Sequence, residues 1–165
     1  MNLLQYHLAQ CNISKLRDDL DHPSMIEFET FLEPVNQWAD RSDGFIWRLK
    51  NIDGLASSRL KPVYREPRTI VNLSVWKDIE SLSEFTFGTI HTYFLKNRNK
   101  WMDKIEQVQF VMWWVKEGHL PTIDEAKSKL AELEQIGPTH RAFNWQQKFN
   151  SPSSQPHSMQ GKIKV

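Results

Sequence analysis

The run "QVQFVMWWV" (107–115) constrains the fold most. It has the length and composition of a strand, and side chains along a strand alternate between two faces. One face then carries Phe110, Met112 and Trp114; the other carries Val111, Trp113 and Val115. Both are apolar. A strand apolar on both sides is buried on both sides, so its sheet needs cover on each face. Alternation does not say which indole meets which cover.

The rest of the chain supplies the partners. Residues 4–13 alternate, with Leu8 and Gln10 on one side and His7, Ala9, Cys11 and Ile13 on the other. "FIWRLK" (45–50) places Phe45, Trp47 and Leu49 on one face. "RTIVNLSVW" (68–76) sets Val71, Leu73 and Val75 opposite Asn72, Ser74 and Trp76. Helical spacing runs through 23–40, where Pro34 predicts a kink or restart, and through 79–97, where Gly88 is a weak point. Thr122 and Glu125 form a capping box for a helix to Ile136, which Gly137 and Pro138 stop. Residues 51–67 read as a long loop. The order β-α-β-β-α-β plus a C-terminal helix predicts an α+β, ferredoxin-like domain over 1–149 with a four-stranded antiparallel sheet. Helices on one face would leave the other bare, and a second copy of the sheet is the economical cover, so a homodimer is expected. Residues 150–165 lack periodicity and predict a disordered tail.

Composition narrows function by exclusion. A net charge of +1 over 165 residues favours neither nucleic acid nor an anionic membrane. No apolar run approaches the roughly 20 residues of a membrane helix, and the N-terminus lacks the pattern of a secretory signal. The single cysteine, Cys11, fits a cytoplasmic protein and, on a strand without a basic neighbour, makes a poor nucleophile. There is no phosphate loop, no zinc spacing and no G-x-S-x-G, and no metal site is expected. The unusual number is aromatic content, 12%, with seven Trp and nine Phe. It suits a densely packed core or a cavity lined with rings.

Several segments carry a resemblance: "HLAQCNI" (7–13), "LEPVNQWADRSDGFIWRL" (32–49), "IVNLSVWKDIESLSEF" (70–85), His91 with "RNKW" (98–101), and "WWVKEGHLPTIDEAKSKLAELEQIGPTHRAFNW" (113–145). On these the chain resembles domain-of-unknown-function family 3291, related to the antibiotic-biosynthesis monooxygenase-like, dimeric α+β-barrel proteins. The resemblance implies the barrel fold and dimerisation. That wider superfamily includes cofactor-free monooxygenases, haem enzymes and ligand-binding proteins, and such a fold does not identify one activity.

The candidate site follows from both lines. His91, on the second helix, is a candidate acid or base, or a haem ligand; the plain alternative is a histidine bonded to a neighbouring polar group. Asn72, Ser74 and Trp76 share one strand face, with Arg48 a neighbour, and could orient an aromatic ligand in a monooxygenase-like reaction; equally they could be the ordinary polar side of a strand. Trp47, Phe87, Trp101 and Trp114 are candidate walls for a small hydrophobic molecule, or simply core. Arg48 and Arg98 could pair with a carboxylate. His119 most simply sits in a turn. No cofactor is expected, with haem as the alternative. A cavity of about 300 Å3 or more with polar groups turned inward would favour a ligand over a solid interface.

Overall fold

β1 (Tyr6–Leu16) is the centre of the sheet. In the structure, a computed structural model that describes residues 5–50 and 66–154 without the side chains of 89–91 and 154, one edge of β1 pairs antiparallel with β3 (Thr69–Trp76), from Leu8 opposite Trp76 to Lys15 opposite Thr69. The other edge takes β5 (Phe110–Lys116) over Tyr6 to Asn12, then the two-residue β4 (Met102–Asp103) at Lys15 and Leu16. β2 (Phe45–Arg48) lies outside β3. Helix α1 (Ile26–Arg41) links β1 to β2; α2 (Ile79–Thr86) and α3 (Thr89–Asn97) follow β3; α4 (Ile123–Ile136) follows β5. The β2-β3-β1-β5 order is the ferredoxin-like arrangement, with β4 added.

The two faces of the sheet have different covers. On the first, Ala9, Cys11, Ile13, Leu73, Val111 and Trp113 are buried against Ala126, Leu130 and Leu133 of α4. On the second, Leu8, Trp76 and Met112 meet Ala39 of α1, Leu82 of α2 and Phe143. Phe143 and Met112 exchange backbone hydrogen bonds of 2.7 and 2.9 Å, which fasten the segment after α4 to β5. The doubled tryptophan straddles these layers. Trp113 packs toward α4, and its Nε1 donates to Glu125 at 2.9 Å. Trp114 faces the other way and donates to the Phe149 carbonyl at 2.8 Å. The expectation of a bare face is therefore corrected. α4 of the same chain covers it.

Three local expectations also change. α1 does not restart at Pro34: that residue lies on the exposed side, where water can satisfy the Thr30 carbonyl left without a donor. Phe45 and Trp47 do not share a face, because a register irregularity lies between them. Phe45 joins the second layer with Trp76, while Trp47 and Leu49 pack into the first. The single helix over 79–97 is two, broken at Gly88, which caps α3 in extended conformation. The helix start at Thr122 stands: its hydroxyl accepts from the Glu125 N–H at 3.1 Å. Of the loop at 51–67, residues 51–65 lie outside the described residues. So does the tail from residue 155 on, while Pro152–Ser154 form a 3-10 turn.

Candidate functional site

The second face differs from the first in carrying a polar patch. Gln10, Asn12 and Ser14 of β1 alternate with buried apolar residues, and the register sets Gln10 opposite Ser74 and Asn12 opposite Asn72. Arg48 of β2 lies opposite Ser74. Residues opposite one another project to the same side, so these side chains form one floor. Above it, α1 and α2 stand off the sheet and leave a cavity of about 400 Å3.

The floor is a connected network. Gln10 Nε2 donates to Ser74 Oγ at 2.7 Å and to Asn72 Oδ1 at 3.1 Å. Trp76 Nε1 donates to the same Ser74 Oγ at 2.9 Å. At one side Arg48 holds Asp40 of α1 edge-on, with Nε to Oδ1 at 2.7 Å and Nη2 to Oδ2 at 3.2 Å, and Lys50 reaches Asp40 at 3.3 Å. Partial burial pushes the Asp40 carboxyl up, but hydrogen bonds and charge from Arg48 and Lys50 outweigh it and hold the group below the usual aspartate range. At the other side Arg98 donates to Gln109 Oε1 at 2.9 Å.

The walls are rings. Trp76 stacks on Phe85 with centroids 5.1 Å apart and meets Phe45 edge-on at 5.3 Å. Trp101 packs against Phe94 at 5.4 Å and Phe28 at 5.9 Å. Trp145 lies parallel to Phe110 at 5.7 Å and edge-on to Phe87 at 5.3 Å.

Of the residues expected at the site, Arg48, Asn72, Ser74, Trp76, Phe87 and Trp101 all line this cavity. Trp47 sits on the opposite face, in the layer under α4. Trp114 shares the cavity's face but packs beyond it, against the C-terminal segment. His91 is on α3, and its side chain lies outside the described residues. His119 pairs with Glu125 at 2.7 Å, away from the cavity. Gln10, Asn12 and the rings of Phe28 and Phe94 were not anticipated. The signal for the first two was present: Gln10, Asn12 and Ser14 stand at every second position beside the buried apolar Ala9, Cys11 and Ile13 of β1. Phe28 and Phe94 carried none, since their place depends on how the helices lie over the sheet. Among the described residues no cluster of three histidine, cysteine or acidic side chains could hold a metal, and no helix is long and apolar enough to cross a membrane.

Comparison with known proteins gives a family and distant structural likenesses. The family model described as Domain of unknown function (DUF3291) matches residues 7–159. No curated protein matches the chain. A protein of unknown function from Nitrosomonas europaea is similar in structure, with a TM-score of 0.45 and 12% identity, over 72% of this chain and 97% of that one. A protein from Shewanella oneidensis matches with a TM-score of 0.41 and 15% identity, over 70% and 93% of the two chains. A candidate antibiotic biosynthesis monooxygenase from Nitrosomonas europaea matches with a TM-score of 0.42 and 12% identity, over 71% and 92%.

Proposed function

Because the chain belongs to the family described as Domain of unknown function (DUF3291), a description that names no activity, we propose a function from the cavity wall: the protein binds a small hydrophobic, ring-bearing molecule. The observation that carries this is a space of about 400 Å3 with aromatic walls and a short, connected polar floor. Ligand sites are commonly apolar clefts of about 300–1,000 Å3 with a few placed polar groups that set orientation. The rings supply contact area; Asn72, Ser74 and Arg48 supply direction.

Monooxygenase-like turnover is the further step of this reading, with Asn72 orienting a ligand oxygen and His91 moving its proton. The described lining residues include no side chain that exchanges a proton near neutral pH, so that step rests on His91 alone. A haem iron takes an imidazole, thiolate, phenolate or thioether. Of these the described lining offers only the thioether of Met102, so a haem reading, too, would rest on His91.

The test is a titration with Nile red, a neutral ring-bearing dye whose emission rises in apolar surroundings. The wild-type chain is expected to bind it. Val35→Trp, which fills the cavity from α1, is expected to weaken binding at least about tenfold while the circular dichroism spectrum is retained. No binding by the wild type, or equal binding by the filled variant, removes the proposal.

A further inference from the structure

We propose that the molecule held in this cavity is an anion, a compact aromatic or aliphatic monocarboxylate, and that the free edge of Arg48 takes its carboxylate. The inference rests on the cavity reading above and adds the chemical class of the ligand.

The charges come first. Arg48 and Arg98 line the cavity, and no described lining residue is acidic. A wall with two guanidiniums and no carboxylate favours an anion inside, where low dielectric strengthens the attraction. Asp40 offsets part of this, but it is one carboxylate held between two cations, Arg48 and Lys50. The cluster keeps a positive charge that a single ligand carboxylate would neutralise.

The geometry then selects Arg48. Its side chain is 7% exposed. Nε and Nη2 are engaged by Asp40, whereas Nη1 is buried without a hydrogen-bond partner; no other described buried side-chain nitrogen or oxygen is left so. An unpaired buried donor costs about 1–3 kcal/mol, and more when charged. Where every other buried polar side-chain atom among the described residues is satisfied, the exception calls for a missing acceptor. Ser74, opposite Arg48 on the ladder, presents a second donor. Its Oγ already accepts from both Gln10 and Trp76, so its own hydroxyl hydrogen is left to give. Two donors on facing residues suit the two oxygens of one carboxylate, and a fixed fork is how guanidinium recognises that group. The remaining walls are rings and aliphatic side chains, which suit the rest of the molecule and not a second charge.

The experiment displaces Nile red from the full chain with 2-naphthoate and, separately, with 2-naphthamide, which keeps the ring and loses the charge. The acid is expected to compete about tenfold more tightly, as a charge-assisted hydrogen bond exceeds a neutral one. In Arg48→Lys, which leaves Asp40 a cation but removes the Nη1 edge, the preference is expected to fall to about twofold or less. Ser74→Ala serves as the second variant, with an intermediate preference. Dye bound but displaced equally by acid and amide, or by neither, overturns the proposal and leaves the cavity reading standing. A preference that survives Arg48→Lys undiminished overturns the role of Arg48. Failure of the dye to bind the wild type overturns both.

Discussion

At the residue scale, Arg48 and Asp40 form the pivot of the polar floor. The pair is half in water: Asp40 keeps 27% of its side chain exposed and Arg48 only 7%. Removing one partner of a buried pair strands the other. Asp40→Asn keeps the shape and loses the charge, so its cost is expected to be about 2 kcal/mol near pH 7 after allowance for that exposure. The sign with pH follows from the depressed carboxyl. A folded-state value below the unfolded one stabilises the native state above the unfolded value, and that contribution is lost as pH falls through the folded value. The gap between wild type and Asp40→Asn in urea unfolding is therefore expected to be widest near neutral pH and to close below about pH 4. Glu125 is shifted the same way: burial raises it, but bonds from His119 and Trp113 outweigh that. For this reason the difference between the two proteins, not either curve alone, is the measure. A gap constant down to pH 2 would assign the cost to geometry and not charge. Cys11 shows the opposite regime, its thiol pushed up to about 12 by burial alone, which bears out its reading as a poor nucleophile.

At the element scale, the turn from α1 to β2 carries Asp40 and Arg48 to each other, and Gly44 makes that turn possible. It has φ of +76°, and a Cβ built on it would lie 2.1 Å from Ser81 Oγ and 2.6 Å from Ser81 Cβ. Ser81 cannot yield easily, since its N–H and hydroxyl both bond Asp78 at the start of α2. Gly44→Ala is expected to cost about 3 kcal/mol, from left-handed strain and overpacking together. In a Ser81→Gly background the contacts with Ser81 disappear and only Lys77 Cβ, at 3.2 Å, stays close, so the same change is expected to cost about 1 kcal/mol, mainly the strain. Equal costs in urea unfolding of the two backgrounds would show that the contact with α2 is not what restricts the position. The elements that sequence made legible were those with a clean period. β1 and β3 declare their faces by alternation, β5 declares only that both of its faces are covered, and α4 is marked by Thr122, Glu125 and Gly137. β2 did not, because an irregularity between Phe45 and Trp47 reverses the face of Phe45, and alternation assumes there is none. β4 is two residues long, too short for any period. The floor of the site was half legible: Asn72 and Ser74 stood out on β3, and Gln10 and Asn12 were equally available on β1. The roof was not, since which rings of α1 and α3 overhang the floor depends on helix placement and not on spacing.

At the scale of the whole molecule, the sheet divides its labour between two faces. The α4 side is close-packed: Leu130, Leu133 and Ala126 meet a run of buried side chains, in which the Trp113 indole nitrogen is bonded to Glu125. α4 covers the face of Trp113 and the C-terminal segment meets Trp114, so the doubled tryptophan is accounted for within one chain. The α1 side leaves a space open above polar residues. The same truncation should therefore read differently on the two sides. Leu130→Ala opens a new cavity in a filled layer and is expected to cost about 3 kcal/mol. Leu32→Ala, on α1, widens a space that already exists, and is expected to cost about 1 kcal/mol, since Leu32 is only partly buried, with packed neighbours around Phe28 and Trp101 on one side and open volume on the other. The two also part company in binding. Leu32→Ala changes Nile red affinity because it reshapes the wall, whereas Leu130→Ala leaves the affinity of the folded fraction within about twofold, because it lies across the sheet from the site. Urea unfolding and dye titration of the pair measure both quantities. Equal destabilisation would mean that the α1 face is as tightly filled as the α4 face, and the cavity would then have no claim to be a site.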